Sequence, residues 1–187
     1  MENKLNKYAR LAVEVGVNLQ KGQMLLINSP VDCKEFTRML VKNAYEVGAS
    51  DVIVRWNDDI INKYFYEYSS MEKIEEIPDY MVEMYKYVVN NKAAVISISA
   101  PTPGLLKDID AKKIQARNKA SHERLDFYQK HMMANGSQWL VISYPTQAWA
   151  EKVFPNDKDA FEKLLDAILK ACRVTDTNDP VAEWKEH

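Results

Sequence analysis

The chain has 187 residues, 47% of them hydrophobic and 28% charged, with a formal net charge of −2. That length and balance suit one well-buried globular domain. The small negative charge argues against a nucleic-acid or anionic-membrane partner, and no run approaches the roughly 20 apolar residues of a membrane span.

The opening segment, MENKLNKYARLAVEVGV, is amphipathic, carries acids and has no long apolar centre, so it does not read as a signal peptide. Four short apolar runs follow at intervals: Met24–Asn28, Asp51–Trp56, Ala93–Ser99 and Gln138–Ser143. Each is strand length, and their near-continuous apolar character predicts strands covered on both faces, as in a parallel sheet. Between the first two, Phe36, Met39, Leu40, Ala44 and Val47 share one helical face, and Gly48 follows as a C-terminal cap. Residues 24–56 therefore read as a βαβ unit with a right-handed crossover. Asp32 and Glu35 have the spacing of a capping box.

Helical patterns continue down the chain. Ile60, Ile61, Tyr64, Phe65 and Tyr68 mark a short helix, and Pro78-Asp79 opens another that points Met81, Met84, Tyr85 and Val88 inward. One long helix is predicted from about Asp110 to Ala134, with Asn135-Gly136 as its stop. Tyr144-Pro145-Thr146 ends the fourth strand, and Thr146 caps a helix opening with Gln147-Ala148-Trp149-Ala150. A further helix follows Asp157, carrying Phe161, Leu164, Leu165, Ile168 and Cys172. The fold class is α/β: an open, mostly parallel sheet of about four or more strands with helices on both faces. Residues 1–175 form this domain. Residues 176–187 read as a loop and the start of a helix at Asp179-Pro180, too short to be stable in isolation.

The chemistry-bearing residues are sparse. There are three histidines, His122, His131 and His187. His122 and Asp126 stand four apart on one helix face, but a metal needs at least one more ligand. The five glycines form neither GxGxxG nor a phosphate-binding loop. Cys33 and Cys172 lie in apolar helical patterns, which predicts buried thiols and a reducing cytoplasm. Asp58-Asp59 and Glu75-Glu76 read as solvated surface, as does the basic run Lys112, Lys113, Arg117 and Lys119. The aromatics Tyr64, Phe65, Tyr66, Tyr68, Tyr80, Tyr85 and Tyr87 cover more than one helix face and are either core or a contact surface. The strand-end loops Ser29–Asp32, Asn57–Asp59, Ala100–Gly104 and Tyr144–Gln147 mark where an α/β fold places a ligand. Thr102 and Tyr144 are the candidates there, although ordinary turn chemistry explains the same composition. No catalytic, cofactor-binding or metal-binding residue is assigned.

Four segments taken together resemble the N-terminal domain of the M29 family of metal-dependent aminopeptidases, of the thermophilic aminopeptidase type. They are KGQMLLINSP (21–30), GASDVIVRWND (48–58), ISAPTP (98–103) and YPTQAWA (144–150). The resemblance implies a homodimeric exopeptidase that removes N-terminal amino acids from peptides. It implies two divalent metal ions, of the zinc, cobalt or magnesium class, held by a C-terminal catalytic domain. No position in this chain matches those ligands, so the resemblance implies a fragment that is inactive alone and completed by its own C-terminal domain. The alternative reading is a stand-alone doubly wound module that binds a small molecule or dimerises.

Overall fold

The computed structural model describes residues 2–187. Helix α1 (Glu2–Leu11) runs into a π-helical turn (Ala12–Gly16), then strand β1 (Met24–Pro30). A 3-10 turn (Val31–Cys33) leads into α2 (Lys34–Glu46), followed by β2 (Asp51–Asn57). Helices α3 (Asp59–Tyr68), α4 (Met71–Glu75) and α5 (Asp79–Asn90) precede β3 (Ala94–Ser99). Then come α6 (Ala111–Arg124), α7 (Asp126–Met133) and β4 (Trp139–Ser143), and finally α8 (Gln147–Val153), α9 (Ala160–Ala171) and α10 (Pro180–Glu186).

The four strands form one sheet in the order β2-β1-β3-β4, and every pairing is parallel. The expected α/β architecture is present, with helices on both faces. Because side chains alternate across a pleated strand, each strand divides between two faces. On the first face, Leu25, Ile27, Ile96 and Ile142 join Phe36, Leu40, Leu165 and Leu169 of α2 and α9 in the largest core cluster. On the second, Met24, Leu26 and Val95 meet Val88 of α5 and Met132 of α7 in a smaller one.

Local chemistry explains the element ends. Gly48 sits at φ +94°, and the backbone donations Gly48 N→Tyr45 O and Ala49 N→Ala44 O close α2 as a left-handed cap. Gly16 lets the π-helical turn lie against β4, because a Cβ there would stand 2.5 Å from Leu140 Cδ2. Thr146 Oγ1 accepts from Trp149 N at 3.1 Å and caps α8 as expected.

Three expectations are corrected. The long helix from Asp110 to Ala134 is two helices, broken where Leu125 (φ −109°, ψ 19°) leaves helical geometry to bury its side chain between α5 and α7. The Asp32–Glu35 capping box does not form: α2 begins after Cys33 with no side-chain cap, and Glu35 pairs instead with Arg38 at 2.6 Å. Part of the basic run on α6 is not a solvated face. Lys113 Nζ donates to the carbonyls of Tyr66 (2.7 Å) and Ser69 (2.8 Å), and Arg117 donates to Glu76 O at 2.5 Å. These cations meet the carbonyl ends of α3 and α4, where a helix dipole favours positive charge.

Candidate functional site

The strand order places the topological switch between β1 and β3, so their carboxyl ends are the position where a doubly wound sheet admits a ligand. Pairing register puts Arg55, Asn28 and Ser97 in one row across β2, β1 and β3, with Val141 of β4 completing it. The first three are linked. Arg55 Nη1 donates to Asn28 Oδ1 at 3.0 Å and to the Tyr85 hydroxyl at 2.7 Å, and Asn28 Nδ2 donates to Ser97 Oγ at 3.1 Å. The guanidinium also lies 5.8 Å from the centre of the Tyr85 ring, which packs against Tyr128 at 4.5 Å. Burial, with Tyr85 nearby, pushes the Tyr128 hydroxyl up to about 12 despite the opposing charge of Arg55. This row is a half-buried cation facing neutral hydrogen-bonding groups, chemistry suited to holding an anionic or polar group. The sequence carried a trace of it, an Arg inside an apolar run and an alternating Ile-Ser-Ile-Ser.

The anticipated strand-end hydroxyls are largely committed to structure. Ser29 Oγ lies 2.6 Å from Thr37 Oγ1, both buried, and Thr37 donates in turn to Cys33 O. Besides capping α8, Thr146 Oγ1 donates to Pro101 O at 2.9 Å and ties two of the loops together. The Tyr144 ring stacks on Phe36 at 5.1 Å, and Phe36 stacks on Tyr8 at 5.2 Å. Burial raises the Tyr144 hydroxyl above its ordinary value. Thr102 is half-buried, and its carbonyl accepts from Leu105 N. Asp58 serves as the cap of α3, accepting from Ile60 N and Ile61 N.

The metal candidates do not assemble. Asp126 pairs with Lys130 at 2.7 Å rather than with His122, His131 Nε2 lies 2.8 Å from Ser137 Oγ, and His187 stacks edge-on against Trp184. Among the described residues no three His, Cys, Asp or Glu side chains come together as a metal site. The side chains present therefore do not fit a metal pair. Both cysteines are free thiols: Cys33 is buried and pushed up to about 12 by that burial, whereas Cys172 is only partly covered. Among the described residues no helix is long and apolar enough to cross a membrane.

A doubly wound parallel domain with a polar row at its switch point is the class these features define. Within that class, the profile of the family described as thermophilic metalloprotease (M29) matches residues 1–187, and the chain belongs to this family. Aminopeptidase 2 of Geobacillus stearothermophilus is 41% identical over 188 residues, covering 100% of this chain and 45% of that protein. Aminopeptidase AmpS of Bacillus subtilis is 42% identical, covering 98% of this chain and 45% of that protein. The solved structure of wild-type AmpT from Thermus thermophilus superposes with a TM-score of 0.88 at 26% identity, over 100% of this chain and 46% of that one. The chain thus spans about 45% of the length of the curated relatives it matches.

Proposed function

We propose that these 187 residues are the N-terminal α/β domain of a metal-dependent aminopeptidase that removes N-terminal amino acids from peptides. The observation that carries this reading is the match of the whole chain to less than half of each relative. In this reading the domain walls the substrate chamber with its strand-end rim and holds the catalytic domain. Two divalent ions of the zinc, cobalt or magnesium class polarise the scissile carbonyl and activate water when bound. Their ligands lie in the remaining polypeptide, because the residues here do not fit them. The fragment alone is inactive, and the full enzyme works in the cytoplasm, in keeping with its free thiols.

The test is to read the coding DNA past the His187 codon. A frame that stays open into a second region rich in Glu, His and Asp supports the reading; a natural stop codon there refutes it.

A homodimer of the full enzyme is part of the same proposal. Helix α3 buries none of its residues, and Ile60, Ile61, Tyr64 and Tyr68 remain exposed along it. Such a stripe suits a subunit contact. Sedimentation of the full enzyme with Tyr64→Ser and Tyr68→Ser should show monomer where the parent is a dimer; an unchanged dimer places the contact elsewhere.

A further inference from the structure

An apolar groove of roughly 400 Å³ lies between the α1–π-turn segment, the outer edge of β4 and α9. Leu11, Val15, Gly16, Leu140, Cys172 and Trp184 are among its walls. Its floor is an open sheet edge. Val95 N donates to Gln138 O and Tyr144 N donates to Ser99 O, so Leu140 and Ile142 turn their backbone polar groups toward β3. Trp139, Val141 and Ser143 turn theirs outward, and the Ser143 carbonyl already accepts from the Tyr8 hydroxyl at 3.1 Å. On the opposite face of the strand from the groove, the Trp139 and Val141 side chains are 49% and 58% exposed. The strand carries no charge and no proline, two of the usual guards of an edge, which leaves its outward backbone groups open to a cover.

Helix α10 is aimed along this groove. At its start Asp179 pairs with Arg10 at 3.1 Å; near its end Lys185 Nζ lies 3.8 Å from Glu14 Oε2. It therefore runs beside α1 in the same direction and points toward Val15 and Gly16. Val181 is buried and Trp184 forms one wall of the groove, its indole N–H held by Cys172 O at 2.9 Å. Residues three and four further on would continue that stripe, and each added turn advances about 5.4 Å.

We propose that in the longer polypeptide α10 continues past His187 as an amphipathic helix. Its apolar stripe fills the groove and covers the edge of β4. The proposal rests on the reading that this chain is the first part of an aminopeptidase of the relatives' length. The occupant is the next stretch of the same chain, because the existing helix already sets its direction and entry point.

The test compares the 187-residue chain with a family-length polypeptide made by joining it to the rest of the Bacillus subtilis relative. Cys172 is alkylated with N-ethylmaleimide and followed by mass spectrometry, with buried Cys33 as the slow internal standard. Amide exchange is followed at Trp139 and Val141. In the long polypeptide all three positions should react at least tenfold more slowly than in the short one. Val15→Glu in the folded long polypeptide should restore most of the Cys172 reactivity. Equal rates in both lengths overturn the proposal, and if that long polypeptide still hydrolyses aminoacyl anilides the aminopeptidase reading survives without it. A stop codon after His187 removes both. Protection that grows with the concentration of the short chain, alongside a dimer in sedimentation, gives the groove to a second copy and also overturns the proposal.

Discussion

The two faces of the sheet are built differently. The first is apolar through Val54, Ile27, Ile96 and Leu140, and the one polar side chain of its next row (Trp56, Ser29, Ile98 and Ile142) is sealed against Thr37 of α2. The second is apolar only in its first half. Its next row is Arg55, Asn28, Ser97 and an exposed Val141. A face that holds a fold together can be sealed with hydrocarbon. A face that turns polar halfway gives up burial that the first face keeps, at the switch point where a doubly wound sheet admits a ligand.

Substitutions on the two faces test this contrast. The largest effect is expected on the first face, where Phe36 is buried between the rings of Tyr8 and Tyr144. Phe36→Ala should cost about 3–5 kcal/mol in urea unfolding, by lost burial and a cavity. A cost below about 1 kcal/mol would mean that this face is not the stabilising one. On the second face, Arg55→Ala removes charge-assisted bonds to Asn28 and Tyr85 and should cost about 1–3 kcal/mol. A gain in stability on Arg55→Met would sharpen the contrast, since it would show the row is retained for something other than folding.

A smaller effect belongs to the rim. Thr146→Ala loses both the α8 cap and the tie to Pro101, for about 0.5–2 kcal/mol, while Thr146→Ser should recover most of it. The smallest is a pH effect at the seam beside the first face. The hydrogen bonds from Arg10, then its charge, hold the Asp179 carboxyl below its ordinary 3.8. The contribution of this exposed pair is therefore full above pH 3.8 and is lost as pH falls through the depressed value. Tryptophan fluorescence should show α10 loosening in acid before the core unfolds, and Asp179→Asn should remove that early step.

Much of the fold was legible in the sequence, because long apolar periodicities and glycine stops act locally. The four strands, the caps at Gly48 and Thr146 and the parallel α/β class all follow from such patterns. The break at Leu125 was not legible, since its cause is a tertiary pocket between α5 and α7. Nor was the role of Lys113 and Arg117, which reach carbonyls more than 40 residues away in the chain. Reading the strands as uniformly apolar obscured the polar row, although Asn28, Arg55 and Ser97 occupy alternate-face positions in plain view. Their convergence depends on strand order and register, which no local pattern specifies. The family resemblance, carried by four dispersed segments, was stronger than any single motif because three of them contain strands of one sheet or their ends and the fourth is the turn from β4 into α8.

The proposed division of labour between this domain and a catalytic remainder is tested most directly by activity. Hydrolysis of an aminoacyl p-nitroanilide would be measured with zinc, cobalt or magnesium, for the 187-residue chain and for the family-length polypeptide. Turnover is expected from the long polypeptide and none above the metal-only blank from the short one. Sustained, metal-dependent turnover by the 187 residues alone would contradict that division of labour.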